Sequence, residues 1–310
     1  MPEHLGLTVS IPVFFNSDQS VDFPALDIYL NRSCQNHHIY ALYSMAYNTR
    51  YRMLDKGELL KVNHLVCTTA KNYGHRVFVG HPYTFTKSDL VEYLEAISCD
   101  EPDGISMLYP ERYFSEVDPI VEFLSVPQSL GLSTVVHEMP LVSGHTGNLI
   151  NWPDDLIDAV FREINVCAIK EDSKDDNIAL KVLHSAVATN SIFILAGGGK
   201  QRALNFLPYG IETWLNGSTV LFPDLIDRTY LGFINGDRDF INFYNERIEI
   251  PFFAECVSVF GWHLACRAAL YFFGHGQLFE RFPHASVTPA MYERMSSTLT
   301  RIQREVGKLF

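Results

Sequence analysis

The sequence lacks the marks of a membrane-spanning or disulfide-bonded protein. Its 310 residues contain no uninterrupted apolar run of about 18 residues, the length that a transmembrane helix needs. The first residues include Glu3 and no basic segment, so no signal peptide is predicted. The six cysteines are scattered and form no C-x-x-C pair, which is typical of reduced thiols. We therefore expect a cytoplasmic protein with no membrane partner.

Common cofactor and metal motifs are also missing. No G-x-G-x-x-G follows the first apolar run, and the glycines at 197–199 are followed by Lys-Gln rather than by the ending of a phosphate-binding loop. The histidines have no H-x-H or H-E-x-x-H spacing, so no metal and no cofactor are predicted. A formal net charge of −12, without alternating basic and aromatic residues, argues against nucleic acid as a partner.

What the sequence does contain is a regular alternation of short apolar runs and helical patterns. With 47% apolar and 19% charged residues, the chain can bury a large core. Apolar runs that read as strands lie at 7–15, 38–46, 76–80, 103–109, 133–139, 165–170, 191–199 and 213–217. They are apolar on both faces, as parallel strands covered by helices must be. Eight such units predict an α/β fold, a (β/α)8 TIM barrel over residues 1–222.

The last part of the chain shows helical patterns without strands. Residues 224–248, 252–274 and 288–308 are predicted as helices, with Pro251 marking a break between the first two. Residues 223–310 are therefore expected to form a C-terminal helical segment.

Lys170 is the residue that points most directly to chemistry. Catalytic groups of such barrels lie at the carboxyl ends of the strands, and Lys170 closes the apolar run that begins at Asn165. Burial disfavours the charged ammonium and favours a neutral amine, which attacks a carbonyl carbon to form an imine. The alternative is a structural lysine that pairs with Glu171 or Asp172.

His137 and Glu138 end the neighbouring strand. Adjacent strand residues point to opposite faces, so one of the two is expected to face the pocket. His137 is a candidate proton shuttle, and the alternative is a buried imidazole bonded to a backbone carbonyl. The glycines at 197–199 suit either a close backbone approach to a ligand or a tight turn.

Eight segments, taken in order, resemble the dihydrodipicolinate synthase/N-acetylneuraminate lyase family of Schiff-base aldolases. The most informative is Val166–Ser173, which is similar to the family's "vvgiKdssGd" segment with its imine-forming lysine. The others are Ile11–Phe14 with Val21 and Asp22, Leu54–Glu58, Asp103–Pro110, Val135–Gly144, Leu195–Gly198, Tyr209–Gly217 and Arg281–Pro283. The resemblance implies a barrel with a helical C-terminal segment, an imine on Lys170 and a homotetramer built from dimers. We therefore expect a homo-oligomer, either a dimer or a tetramer.

The resemblance also implies a set of residues around the substrate. These are Tyr47, Asn48 and Arg50 for its polar head, with Tyr109, Gly198 and Leu215 completing the pocket.

Departures from the family pattern are equally informative. The "GTTGE" signature that grips the carboxylate of pyruvate falls on residues 46–50, and none of its five residues is kept. The catalytic tyrosine falls on His137, and the arginine that dihydrodipicolinate synthases use falls on Val142. The sequence therefore does not predict an ordinary dihydrodipicolinate synthase.

Two functions of different classes follow from these observations. The first is a Schiff-base lyase, aldolase or dehydratase acting on a small carbonyl substrate, for which a sugar-derived 2-oxo acid is the candidate. Lys170 is its nucleophile and His137 replaces the tyrosine. The second is a catalytically degenerate barrel that binds a ligand or partner without turnover.

Overall fold

Eight parallel strands, paired in chain order, form one sheet in this computed structural model, which describes residues 6–44, 50–81, 86–109, 116–138, 152–196 and 199–309. The strands are Leu7–Ser10 (β1), Ile39–Tyr43 (β2), Arg76–Gly80 (β3), Gly104–Met107 (β4), Thr134–Glu138 (β5), Val166–Glu171 (β6), Ile192–Leu195 (β7) and Thr213–Trp214 (β8). A parallel bridge from Thr8 to Leu215 and a 2.9 Å bond between the hydroxyls of Thr8 and Thr213 bring the sheet's two ends together. The predicted (β/α)8 barrel is thereby confirmed.

Helices follow the strands along the chain. Up to β8 they are Phe23–Cys34 (α1), Lys56–Tyr73 (α2), Lys87–Ser98 (α3), Val117–Leu124 (α4), Val126–Ser129 (α5), Asp154–Glu163 (α6), Asp176–Ala188 (α7) and Gly199–Phe206 (α8). Local sequence sets their ends. Helix α2 begins with a capping box between Asp55 and Glu58 and ends at Gly74, whose φ of +76° favours glycine.

The first strand is shorter than the apolar run that predicts it. The run extends over residues 7–15, whereas β1 ends at Ser10. Ile11 still donates its backbone N–H to the carbonyl of Tyr43, but Pro12 has no N–H to continue the ladder.

The C-terminal part is helical, as predicted. Its helices are Ile226–Ile234 (α9), Arg238–Tyr244 (α10), Ile250–Phe252 (α11), Ser258–Phe260 (α12), Trp262–Phe272 (α13) and Pro289–Val306 (α14). The single helix predicted over 224–248 is interrupted at Gly236, and the one predicted over 252–274 is interrupted at Gly261. Both glycines have a positive φ, +63° and +79°.

The break predicted at Pro251 is wrong. Pro251 lies inside α11, and π-helical turns precede and follow it at Asn245–Glu249 and Phe253–Val257. The changed hydrogen-bond spacing of these turns allows the helix to continue past a residue without a backbone N–H.

The chain divides into two compact units. One comprises Met1–Ile11 and His38–Gly217, and the other comprises Pro12–His37 and Ser218–Phe310. Within the second unit, the buried guanidinium of Arg267 bonds Glu280 at 3.0 Å and the carbonyl of Val13 at 2.7 Å. The domain boundary expected after residue 222 stays a prediction.

The barrel strands are buried along almost their whole length, which accounts for their apolar sequences. All residues of β1, β2, β4 and β5 are buried. Across the part of the chain that the structure describes, no helix is long and apolar enough to cross a membrane.

Candidate active site

Lys170 occupies the next-to-last position of β6 and is almost completely buried, with 4% of its surface exposed. The strand begins with a run of apolar and small residues that packs the barrel wall. Strand alternation then places Lys170 on one face and Glu171 on the other. The aliphatic part of its side chain is buried, so its amino group makes its polar contacts with a few neighbouring side chains.

Among the described residues, three side chains lie around the amino group of Lys170. His137, its register partner on β5, lies with Nε2 at 2.7 Å from Nζ. Asp172 follows the strand, with Oδ2 at 3.5 Å from Nζ. The ring of Tyr43 from β2 completes the enclosure, with its centroid 5.3 Å from Nζ. Tyr43 also contacts the imidazole edge-on at 6.0 Å, so the three strands share one interior cluster.

The surroundings change the charge state of each group in this cluster. Burial lowers the pKa of Lys170, although the carboxylate of Asp172 partly opposes it. Burial, together with the nearby ammonium, lowers the pKa of His137 to about 4. For Asp172 burial acts upward, but the positive charge of Lys170 and the nearby imidazole of His137 leave its pKa lower than usual. At neutral pH the site therefore contains a neutral imidazole, a carboxylate and an easily deprotonated amine.

This arrangement can carry out proton transfer at an amine. The imidazole Nε2 lies at hydrogen-bond distance from Nζ and, being neutral, can accept its proton. Among the residues that the structure describes, Nδ1 of His137 has no hydrogen-bond partner. A nucleophilic amine beside a neutral base is the combination that imine chemistry requires.

The opposite face of the same strands holds a separate acidic cluster. Glu138 and Glu171 are register partners and both are fully buried. Arg202 of α8 reaches Glu171 at 3.0 Å and also bonds Asp176 at 2.8 Å. Burial is the main cause that raises the pKa of both glutamates. Ser173 donates its hydroxyl and backbone N–H to Glu171, so the turn after β6 is tied to this network.

The structure brings Lys170 and His137 together, and of the other predicted residues it describes Tyr109, Leu215 and Arg50. Tyr109 is half-buried and packs edge-on against Phe123 of α4, at 5.8 Å between ring centroids. Leu215 lies where the barrel closes, and its backbone N–H donates to the carbonyl of Leu195. Arg50 is buried and has a positive φ of +55°. Tyr47, Asn48, Val142 and Gly198 lie outside the described residues.

Two members of the cluster are not among the sequence-based candidates. Tyr43 lies in an apolar run and reads as core, because nothing in the run shows that its ring covers an amino group. Its hydroxyl bonds Ser106 of β4 across the barrel interior. Asp172 enters the sequence analysis only as a structural partner of Lys170. Its position directly after β6 is visible in the sequence, but residue spacing does not show that its carboxylate turns toward Nζ of Lys170.

No group of three or more histidine, cysteine, aspartate or glutamate side chains that could hold a metal ion occurs among the described residues.

Comparison with known proteins gives a match in structure alone. No protein-family model and no curated protein matches the sequence. A solved structure of 4-hydroxy-tetrahydrodipicolinate synthase from Methylacidiphilum fumariolicum SolV is similar, with a TM-score of 0.79 and 18% identity, covering 98% of this chain and 97% of that one. N-acetylneuraminate lyase from Fusobacterium nucleatum is similar with a TM-score of 0.77 and 14% identity, covering 96% and 99%.

A third similar structure is a prophage protein of the dihydrodipicolinic acid synthase family from E. coli K12, solved with pyruvate. Its TM-score is 0.79 at 14% identity, with 96% of this chain and 98% of that chain covered. At such low identity the likeness establishes the fold, and it extends over nearly the whole chain, C-terminal helices included. The chain therefore has the fold that dihydrodipicolinate synthases and N-acetylneuraminate lyases share.

Proposed function

We propose that this protein is a Schiff-base lyase, aldolase or dehydratase that binds a small carbonyl compound as an imine on Lys170. The observation that carries the proposal is the buried amino group of Lys170 with the imidazole of His137 at 2.7 Å. The lowered pKa of Lys170 increases the share of neutral amine, which is the nucleophilic form.

The residues of the cluster suit the successive steps of imine chemistry. The neutral amine attacks the carbonyl carbon, a C–N bond forms, and the carbonyl oxygen leaves as water after taking up protons. His137 accepts the proton released from nitrogen and returns it to the departing oxygen. The protonated imine then withdraws electrons, which allows the neighbouring C–C or C–O bond to break or form.

A borohydride-trapping experiment tests the proposal. The protein is incubated with a panel of 2-oxo acids, aldehydes and ketones, reduced with borohydride and measured as intact mass and as peptides. We expect an adduct on Lys170 that is absent in Lys170→Ala. It should also be absent in Lys170→Arg, because guanidinium stays protonated and cannot attack.

Two other lysines provide matched controls. Lys174 follows in the same loop and Lys61 lies on α2, and both are exposed. Lys174→Ala and Lys61→Ala should leave the adduct in place. An adduct that persists in Lys170→Ala contradicts the assignment. The sugar-derived 2-oxo acid predicted from the sequence supplies the first compounds of the panel.

The second candidate is a barrel that binds without turnover. The 3.5 Å contact between Lys170 and Asp172 favours it, since a buried ion pair also accounts for a buried lysine. Saturable binding of a panel compound without any reducible adduct on Lys170 would support this alternative.

We extend the proposal to the protein's state in the cell. We propose a homo-oligomer, a dimer or tetramer, in the reducing cytoplasm. All six cysteines are free thiols, and four of them are buried, which fits a reducing compartment. Analytical ultracentrifugation measures the oligomeric state, and a monomer at micromolar concentration contradicts that part.

A further inference from the structure

Asp172 brings a fixed negative charge to the place where an imine would form. Its Oδ2 lies 3.5 Å from Nζ of Lys170 and 3.9 Å from Nε2 of His137, and 13% of its side chain is exposed. The backbone holds it there, because the N–H of Asp172 donates to the carbonyl of Glu138 at 3.1 Å. The backbone at Asp172 is therefore fixed beside β5, and its carboxylate faces the amino group of Lys170.

The charges of the site balance when the incoming carbonyl compound is uncharged. The ammonium of Lys170 and the carboxylate of Asp172 form a neutral pair, and His137 is neutral. The ammonium and a neutral aldehyde or ketone condense to a protonated imine and one water. The water contains the carbonyl oxygen and two protons from the nitrogen. The positive charge stays on the same nitrogen atom, so Asp172 remains its counter-ion throughout.

A 2-oxo acid would upset this balance. Its carboxylate is attached directly to the imine carbon and would therefore lie close to the nitrogen that Asp172 faces. The buried site would then hold two negative charges against one positive charge, and an uncompensated buried charge is strongly unfavourable. In the imine of a 2-oxo acid, the substrate's own carboxylate can neutralise the positive nitrogen. Asp172 already supplies that negative charge here.

The segments that follow the strands contain few cations to neutralise a second carboxylate. Residues 45–49 and 139–151, which follow β2 and β5, contain no lysine or arginine, whereas the residues after β4, β6 and β7 include Arg112, Lys174 and Lys200. Lys174 acts on both Lys170 and Asp172, but its side chain is exposed to solvent. Arg202 is taken up by Glu171 and Asp176 on the other face of β6. Arg50, buried after residues 45–49, is the candidate that an experiment must test directly.

We propose that Asp172 is the counter-ion of the imine on Lys170, and that the site takes an aldehyde or ketone with no carboxylate next to the reacting carbonyl. This inference rests on the proposed function and narrows its substrate class away from the 2-oxo acid that the sequence suggests. It makes Asp172 a further catalytic residue, since it touches the reacting nitrogen.

Matched pairs of carbonyl compounds provide the test. Hydroxyacetone is compared with pyruvate, and glycolaldehyde with glyoxylate, because the members of each pair differ mainly in the carboxylate. The rate of borohydride-trapped labelling of Lys170 is divided by that of exposed lysines in the same sample, which removes intrinsic reactivity. We expect the normalised rate to be at least about tenfold higher for the neutral member of each pair.

Substitution of Asp172 should change this selectivity. Asp172→Asn is expected to reduce the preference for the neutral member by about tenfold, while Asp172→Glu keeps it. Asp154 is an exposed carboxylate on α6, and Asp154→Asn serves as the control. This substitution should leave the preference for the neutral member unchanged. Circular dichroism and thermal melts establish that each variant is folded.

A pH profile separates a catalytic from a structural role of Asp172. The charged or titratable groups that act on Lys170 are His137, Asp172, Glu171 and Lys174. Removing the carboxylate of Asp172 destabilises the ammonium, so the labelling midpoint of Asp172→Asn should move to lower pH. A purely structural role would leave that midpoint in place.

The outcomes separate this inference from the function on which it rests. If pyruvate and glyoxylate label Lys170 as fast as their neutral partners, the inference is overturned and the imine function stands. If that fast labelling is lost in Arg50→Gln, Arg50 binds the carboxylate. An unchanged selectivity in Asp172→Asn also overturns the inference. If no compound labels Lys170, both proposals fail.

Discussion

Strands β5 and β6 present opposite kinds of ionisable group on their two faces, at nearly equal burial. On the interior face His137 stands beside Lys170, and on the other face Glu138 stands beside Glu171. Burial is the largest influence on all four groups. It lowers the pKa of the lysine and the histidine and raises the pKa of both glutamates.

The two faces differ in how their charges are satisfied. Glu171 has Arg202 and the N–H and hydroxyl of Ser173, which together fix the turn after β6. Lys170 has only a neutral imidazole at close range and a carboxylate at 3.5 Å among its described polar contacts. The comparison indicates that the glutamate face holds the turn in place, while the lysine face leaves its amino group with fewer polar partners among the described residues.

The largest expected effect concerns the lysine face. His137→Phe removes the base beside Lys170 and keeps a ring of similar size in the barrel. A general acid–base group contributes about 10²–10⁴-fold, so activity on the compound that labels Lys170 fastest should fall by that factor. The measurement is the turnover rate, or the rate of imine trapping where turnover is slow.

A second substitution at the same position sharpens this test. His137→Tyr should recover part of the loss, because the phenol offers a hydroxyl for proton transfer at the position where the sequence resemblance predicts a catalytic tyrosine. A loss below about tenfold in His137→Phe would show that His137 is not a general acid–base group.

Much of the fold could be predicted from the sequence. Buried parallel strands need apolar residues on both faces, so the eight runs and their alternation with helical patterns are visible without a structure. The helix interruptions at Gly236 and Gly261 could not be predicted from periodicity, because the apolar spacing continues through both glycines. At Pro251 the sequence predicted a break, but the helical structure continues, since π-helical turns on both sides accommodate the proline.

The candidate site was predictable only in part. Alternation along β5 and β6 and the family resemblance together pointed to Lys170 and His137, and the structure places their side chains 2.7 Å apart. Tyr43 was not predicted as a site residue, because a tyrosine in an apolar run usually belongs to the hydrophobic core. The role proposed for Asp172 depends on a turn geometry that residue spacing does not encode.

The next largest effect concerns the glutamate face. Arg202→Met removes the buried cation from Glu171, and breaking a buried pair from one side costs about 3–5 kcal/mol. We expect a loss of at least about 3 kcal/mol in the free energy of unfolding at pH 8, measured by urea denaturation. The loss should shrink at pH 5, where Glu171 can take up a proton instead.

An exposed ion pair provides the control for Arg202→Met. Arg162, which pairs with Glu163 with two thirds of its side chain exposed, should tolerate Arg162→Met within about 0.5 kcal/mol. Arg202→Met combined with Glu171→Gln should recover much of the lost stability. A loss below about 1 kcal/mol for Arg202→Met alone would mean that the arginine is not needed to hold the turn.

A smaller, pH-dependent effect is expected for Glu138. Burial, with the charges of Glu171 and Asp172, raises its pKa in the folded protein. The folded state thus retains a proton that the unfolded state releases, and the stability contributed by this group is lost as pH rises through the folded pKa. Each pKa unit corresponds to about 1.4 kcal/mol. Glu138→Gln should therefore gain stability relative to the unsubstituted protein at pH 8.

The matched measurements for Glu138→Gln are urea titrations at several pH values. The difference from the unsubstituted protein should grow steadily from pH 4 to pH 8. Glu95→Gln, an exposed glutamate on α3, should show no such trend. A pH-independent difference for Glu138→Gln would mean that the pKa of Glu138 is the same in the folded and unfolded protein, and that burial does not raise it.

The smallest expected effect separates the two parts of the Tyr43 side chain. Tyr43→Phe removes the hydroxyl that bonds Ser106 and keeps the ring whose centroid lies 5.3 Å from Nζ of Lys170. Loss of one buried hydrogen bond should cost about 1 kcal/mol of unfolding free energy. Ser106→Ala should cost a similar amount, and the double variant less than the sum, because one bond connects both hydroxyls. Imine trapping on Lys170 should change by less than about threefold, since the ring and not the hydroxyl covers the amino group. A tenfold fall in trapping would instead give the Tyr43 hydroxyl a part in proton transfer.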